Sequence, residues 1–402
     1  MSLTEAGLLA DVRQRLFSTS RPSVPRAVGL ELELIPVLRS SRKPALAVTG
    51  AGPTTSASLS RLALRERWVE QPADNDPPAW LLPDGTRISF EPGGQLEIST
   101  TPSASASAVI ASAQELVARL RSTMAEDGIE LVARGVDPYN DVGAVPLQLH
   151  RDRYTTMTRF FDSIGPSGVR MMRQTAALQI NLERGEDPLA RWHLLNSLAP
   201  FVVAFFASSR HYAGRRTDWA SYRSHLWRTL DPSRTGIVCD EQDPAREYLR
   251  FALDAKAMRA FAGDRHLSFR EWMRDPAVDH EDWTFHLSTL FPEVRARGFF
   301  ELRSSDAVEP ADLAAPVVFV TGIVYDDESA RRASSLAGVP SNELLERAGR
   351  AGLADSALRA GTAALADCAL EGARRLGTDY ISEKDLEESA RYFARALDAH
   401  DI

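Results

Sequence analysis

Apolar and polar side chains alternate most strictly over Ala27–Pro36, where Leu30, Leu32 and Leu34 are interleaved with Glu31 and Glu33. That period of two predicts a strand with one buried face. The same pattern predicts strands over Ile88–Ile98, interrupted at Pro92-Gly93-Gly94, and over Ile129–Val136, Thr175–Glu183 and Gly298–Ser304. Helical spacing marks residues 1–18, Ser103–Glu126, Arg153–Phe161 and Pro188–Ala207, the last through Trp192, Leu195, Leu198 and Val202. Residues 40–60 are rich in Ser, Thr, Ala, Gly and Pro and predict a loop or a poorly packed insertion. Ser209–Glu281 is aromatic and arginine-rich without a period, which predicts loops and short helices. Beyond Pro310 the chain turns to alanine-rich helices at Leu313–Asp326, Ser341–Arg350, Ser356–Leu376 and Ser382–His400; Ser382 and Asp385 open the last with an approximate capping box. Strands come first, helices dominate the end and βαβ alternation is missing, so the expected class is α+β with an antiparallel sheet.

Four of these strands carry paired polar residues on one face. Glu31 and Glu33 share a face of the first, and Glu91 precedes a glycine turn after which Glu97 and Ser99 share a face. Gln179 pairs in this way with Asn181, and Glu301 with Arg303. A wet face on an antiparallel sheet is common, and two glutamates two apart read first as solvated charges. The composition of this face alters that reading, because a solvated face mixes Lys, Thr, Arg and Ser, whereas here Glu recurs beside Gln and Asn. Like charges side by side on a sheet repel, and bound cations offset them most simply. The donors are oxygens with no His–Cys cluster, which points to Mg²⁺ or Mn²⁺ rather than zinc. Several such cations in one concavity suggest a nucleoside triphosphate. The residues alone thus reach Mg-dependent phosphoryl chemistry on the face of an antiparallel sheet.

Composition narrows the classes further. The chain has 402 residues and a net charge of −8, which disfavours nucleic-acid binding because no cationic excess displaces phosphate counterions. Two cysteines, Cys239 and Cys368, make no disulfide framework, and a reducing cytoplasm is expected. The most apolar stretches, Leu198–Ala207 and Pro316–Tyr325, are too short for a membrane span, and the N-terminus lacks the order of a secretion signal. Only Lys43, Lys256 and Lys384 are lysines, and no P-loop is present, so arginines and metal ions would have to neutralise phosphates. Neither a G-x-G-x-x-G after a strand nor a G-x-S-x-G is found.

The segments Gly29–Glu33 (G-x-E-x-E), Glu91–Ser99 (E-P-G-G-Q-x-E-[IL]-S), Gln179–Leu182 (Q-[VI]-N-L), Leu290–Arg295 (L-F-P-x-V-R) and Phe300–Arg303, in this order, resemble the glutamate–cysteine ligase family of the plant and proteobacterial type. The Glu91–Ser99 string is the most specific. Gly135–Pro138, Arg153-Tyr154 with Phe160-Phe161, Met171-Met172 before Thr175, and Val318-Phe319 running to Asp326-Asp327 are similar to the ergothioneine-pathway branch. The resemblance implies one catalytic domain over 1–402, with a core of about 27–326 and a helical region 327–402, built on a curved antiparallel sheet of the glutamine-synthetase kind. It implies that ATP phosphorylates the γ-carboxylate of L-glutamate and that the amine of L-cysteine then attacks, giving γ-glutamylcysteine. Two or three Mg²⁺ ions would be held by Glu31, Glu33, Glu91, Glu97, Glu301 and Gln179, with Gln179, Asn181 and Arg303 near the nucleotide.

Arg303 and Arg223 are the candidates for gripping the transferred phosphate and the glutamate α-carboxylate, where a planar bidentate donor is needed. Trp227 and Arg228 are candidate substrate-pocket residues. Against Arg223 stands the plainer reading of a surface loop arginine and against Trp227 that of ordinary packing; Arg228 and Arg234 are weaker candidates that read as structural or rim residues, and His225 and His286 read as structural. Ala207–Arg210 departs from the Ala-Asn-Ser-Pro of many members and opens the alternative of a ligase that joins glutamate to another amine. A non-catalytic binding homologue is the third reading. A monomer or homodimer without nucleic-acid or membrane partners is expected.

Overall fold

The computed structural model describes residues 3–17, 25–48, 52–74, 76–239 and 243–399. Its centre is β1 (Val28–Leu38), whose Leu30, Leu32 and Leu34 are at most 1% exposed. With β2 (Val69–Ala73), β3 (Asp76–Leu81), β4 (Arg87–Phe90), β5 (Leu96–Ser99), β6 (Ile129–Val132), β7 (Ala177–Leu182), β8 (Val294–Ala296) and β9 (Phe300–Asp306), it forms a nine-stranded sheet. The order is β8-β9-β7-β1-β5-β4-β3-β2, and every pairing in it is antiparallel. β6 pairs with the second half of β1, at Ile35–Leu38.

The apolar face is covered by helices. Ala106–Glu126 and Pro188–Phe205 pack on it, and Ala314–Val324, buried along its whole length, lies behind them. A helix apolar all round must be wrapped on all sides, and the C-terminal helices Ser356–Leu376 and Glu383–Asp398 do this. Gly322 and Gly372 let two of these backbones meet: a Cβ on Gly372 would stand 2.0 Å from the Gly322 carbonyl oxygen. This close crossing is the use of the small-residue composition beyond Pro310. One apolar cluster runs from Leu3 to Phe393.

The predicted α+β class and five strands are present, with Ile129–Val136 shortened to Ile129–Val132. Other expectations need correction. Within 40–60, taken as a loop, Thr55 begins a helix that runs to Glu66; Thr54 caps it by accepting from the Ala57 amide, and Leu59, Leu62 and Ala63 bury one side. Serine and threonine outweighed that apolar stripe in the composition. β2, β3 and the hairpin Lys256–Ala262/Arg265–Ser268 were unforeseen, and so were the helices Pro166–Gln174 and Asp327–Ala337. Prolines at 72, 77 and 78 disguise the first two as a loop. No described helix is long and apolar enough to cross a membrane. Lys43, Lys256 and Lys384 are all exposed.

Candidate active site

Register turns the sequence pairs into rows. Glu33 stands opposite Glu97, and Glu97 opposite Ser89; Glu31 stands between Ser99 and Gln179; Asn181 stands opposite Glu301, and Glu301 opposite Arg295. The neighbouring strands β1 and β5 thus place carboxylates side by side, and β9 adds Glu301 beyond the amides of β7, all on the face away from the helices. A register shift between Leu302 and Ser305 on β9 turns Arg303 towards Gln179.

The turn between β4 and β5 carries Glu91 and is fixed by backbone geometry. Gly94 has φ +88°, and a Cβ on Gly93 would sit 1.9 Å from the Arg173 carbonyl oxygen. Gln95, 2% exposed, accepts from the Gly93 amide at 2.9 Å and donates to the Thr175 carbonyl at 2.8 Å, locking the turn to the start of β7. Gly93→Ala is expected to cost about 3 kcal/mol of stability, read in a denaturant melt, and to lower activity with it, since Glu91 and Glu97 flank the turn.

Over this face lies a cavity of about 890 Å³, lined by Glu31, Glu33, Glu91, Glu97 and Gln179. Arg87, Arg153, Arg295, Arg297 and Arg303 also line it, with Tyr154, Trp227, Phe291 and the thioethers of Met157, Met171 and Met172. Its size suits a metabolite-scale ligand. Glu33 accepts from the Ala177 amide at 2.8 Å and from Gln179 Nε2 at 3.0 Å; Glu31 accepts from Asn181 Nδ2 at 3.1 Å; Glu97 accepts from Ser89 and Ser99 at 3.1 and 3.2 Å.

Burial and the neighbouring Glu301 and Glu97 carboxylates push Glu31 up to about 6, and burial with Glu97 pushes Glu33 up to about 7. Burial, with Glu97 and Glu33 beside it, raises Glu91 well above the usual carboxylate range. Glu97 is the common neighbour of all three. Between pH 4.5, the ordinary value of Glu33, and about 7 the folded chain holds a proton there that the unfolded chain has lost. This contribution to stability is full below about 4.5 and disappears as pH rises through 7. In EDTA, Glu33→Gln is therefore expected to match the wild-type Tm near pH 5 and exceed it by several degrees at pH 8. A difference in Tm that does not change with pH would remove the burial argument.

Glu301 behaves otherwise. Burial pushes it upward, but Arg295, Arg303 and Arg297 outweigh that and hold it down to about 2. Its side chain is wholly buried, with Arg295 Nη2 at 2.8 Å, Arg297 Nη1 at 3.4 Å and Arg303 Nη1 also in contact. Arg303 further donates to Gln179 Oε1 at 2.6 Å and lies over the Trp227 ring, its carbon 5.1 Å from the centroid. Arg223, 4% exposed, lies over the same ring at 5.3 Å and donates to the Arg303 carbonyl at 2.8 Å. Arg223 does not line the cavity over the carboxylates; it borders a small pocket with Trp227, Glu293 and Arg303.

Two expectations fail in place. Arg228 is not brought to the cavity; it points from its helix (Tyr222–Leu230) to Glu346, 3.3 Å away. The Ala207–Arg210 loop also lies outside the cavity, because Ser208 and Ser209 are spent on Asp306: the Ser208 amide donates to it at 2.8 Å and the Ser209 hydroxyl at 2.7 Å. The plainer readings hold for Arg234, bound to Asp231 and the Thr289 carbonyl, and for His286, buried against the Ala252 carbonyl. His225 stacks on Trp219. Arg153, Tyr154 and Arg295, present in the sequence only as parts of motifs, are wall residues, and strand register sets Arg295 directly opposite Glu301.

Among the described residues, no three His, Cys, Asp or Glu side chains form a ready-made metal cage. The donor chemistry nevertheless fits a hard divalent cation. Glu33, Glu91 and Glu97 are mutually repelling oxygen donors, and the Asn181 Oδ1 is buried without a hydrogen-bond partner. Glu301 fits less well, since three guanidiniums occupy its oxygens.

The sheet face thus gathers buried acids and guanidiniums in one metabolite-sized cavity, an arrangement suited to a charged substrate. Residues 27–399 match the model of glutamate–cysteine ligase family 2, and the chain belongs to that family. Glutamate–cysteine ligase EgtA of Mycolicibacterium smegmatis is 34% identical over 357 residues, covering 81% of this chain and 83% of that protein. EgtA of Mycobacterium tuberculosis is 32% identical over 302 residues, 69% of each chain. The chloroplastic glutamate–cysteine ligase of Arabidopsis thaliana is 29% identical, over 67% of this chain and 55% of its own. Among solved structures, the Francisella tularensis glutamate–cysteine ligase in complex with AMP gives a TM-score of 0.47 at 11% identity, covering 94% of this chain and 90% of that one, too distant to bear on the site.

Proposed function

We propose that the protein joins L-glutamate to L-cysteine with ATP, by way of γ-glutamyl phosphate, to give γ-glutamylcysteine for ergothioneine or another low-molecular-weight thiol. The observation that carries this reading is the meeting of Glu31, Glu33, Glu91, Glu97 and Gln179 with Arg295, Arg297 and Arg303 in one cavity. A carboxylate is a poor acyl donor. A γ-carboxylate oxygen of glutamate therefore attacks the γ-phosphorus of ATP, the bond to the bridging oxygen breaks and ADP leaves. The cysteine amine then attacks the acyl carbon, phosphate departs with the bonding pair, and the amine proton passes to a phosphate oxygen or to water.

Arg303 is assigned to the transferred phosphoryl group, where a fixed fork of donors meets developing negative charge. Arg223, behind it, holds the Arg303 backbone and shares Trp227 with it, so its contribution to glutamate binding runs through the wall of the site. Glu31, Glu33, Glu91 and Glu97, with Gln179 and Asn181 beside them, would hold Mg²⁺ or Mn²⁺, which supplies charge neutralisation of the triphosphate. Glu301 is assigned to orienting Arg295 and Arg303 ahead of any metal contact. The different-amine reading loses its support, because the loop that prompted it is turned away from the cavity.

The test is ADP release by purified protein with Mg²⁺, ATP and L-glutamate, with and without L-cysteine, and the product weighed by mass spectrometry. Cysteine-dependent ADP with a γ-glutamylcysteine mass is expected. Glutamate-dependent ADP indifferent to cysteine would overturn the choice of amine, and no ADP at all would overturn the enzyme reading.

A further inference from the structure

Among the described residues, a concavity larger than the one over the carboxylates lies elsewhere in the fold. A second cavity, of about 1370 Å³, lies between β6, the segment after the helix Pro188–Phe205, and the C-terminal helices; it shares no lining residue with the first. Among the described residues, six arginines and two glutamates line it, in a chain whose own net charge is −8.

The two glutamates are already committed. Glu309 takes Arg121 at 2.9 Å and Arg134 at 3.1 Å, and Glu130 takes Arg42 at 2.6 Å. Among the described residues, Arg39, Arg210 and Arg216 have no side-chain hydrogen bond or ion pair. Arg210 is half-buried and Arg39 and Arg216 are exposed at the rim, so three like charges without a protein counter-ion border one concavity, where an anion between them would relieve their repulsion. The floor is apolar, formed by Phe205, Leu131, Leu353 and the ring of Tyr392.

We propose that this cavity is a second binding site, which takes a small organic oxyanion of at least two negative charges carried on an apolar body. Arginine forks accept carboxylate or phosphate oxygens in pairs, and the Phe205–Leu353 floor receives the carbon frame. A long polyanion such as a nucleic acid is disfavoured, because the rest of this acidic surface would repel it beyond the mouth of the cavity. The site stands independently of the reaction at the carboxylate face.

The experiment is calorimetric titration of the whole chain with two probes, citrate for carboxylates and pyrophosphate for phosphates, at 0.15 M salt. Arg210→Ser with Arg216→Ser is compared with wild type and with a charge-matched control, Arg331→Ser with Arg332→Ser, on the exposed side of the helix Asp327–Ala337. At least one probe is expected to bind wild type and the control alike and to weaken tenfold or more in the Arg210/Arg216 variant, at unchanged Tm and turnover without probe. The stronger probe identifies the oxyanion. If the double variant fails to fold, Arg39→Ser alone, on an exposed loop-side residue, carries the same comparison. Binding of neither probe, binding unaltered by the cavity variants, or an equal loss in the control would each overturn the proposal.

Discussion

Glu97→Gln is expected to lower kcat by on the order of a thousandfold while leaving the Tm unchanged or raised. Glu97 touches every part of the acidic floor: it stands opposite Glu33 on β1, bears on Glu31 and Glu91, and is held by the hydroxyls of Ser89 and Ser99. The amide keeps the size of the side chain and can still accept from those hydroxyls, so local packing has no reason to change. What disappears is one negative charge from a set that burial and mutual repulsion already drive toward protonation. Relieving that repulsion stabilises the folded chain in the absence of cations. The same charge is the one that neutralising metal would need, so activity and stability should move in opposite directions. Thermal melts in EDTA beside steady-state ADP release check both halves. A fully active Glu97→Gln protein would remove the acidic floor from the mechanism.

Arg303→Lys is expected to lower kcat by about a hundredfold or more, with a smaller effect on the KM for glutamate. The guanidinium of Arg303 satisfies Gln179, pairs with the buried Glu301 and lies over Trp227 at once. An ammonium is a point donor on a flexible stem; it can keep the charge near Glu301 but cannot hold a plane against the indole and a fork toward a phosphoryl group. Arg295 remains on Glu301 in the variant, so the carboxylate is not abandoned and the fold should survive. A variant whose kcat is untouched but whose Tm falls would make Arg303 a structural partner of Glu301 and nothing more.

The acidic floor was legible because it is written in local pattern: Glu31/Glu33 and Glu97/Ser99 obey the strand period, and Pro92-Gly93-Gly94 marks the turn between Glu91 and Glu97. What local pattern cannot carry is which strand lies beside which. The placement of Arg295 opposite Glu301, and the capture of that glutamate by three arginines, follow from the β8–β9 register and the return of Arg303 at a bulge. Arg228 and the Ala207–Arg210 loop misled for the same reason. Their sequence neighbours approach the site, but the helix Tyr222–Leu230 turns Arg228 outward, and Asp306 pulls the two serines inward. The helix Thr55–Glu66 was missed because small hydroxylated residues occupy its first turns, a composition shared by loops and well-capped helices.

The scarcity of lysine has a practical consequence. Amine-directed reagents find Lys43, Lys256 and Lys384 on the outside of the protein, and none of them borders either cavity. Exhaustive acetylation, biotin coupling or attachment to an amine-reactive sensor surface should therefore leave the carboxylate floor and both arginine walls chemically intact. The protein can be immobilised through its side-chain amines for binding work, whereas arginine-directed dicarbonyl reagents would strike both cavities.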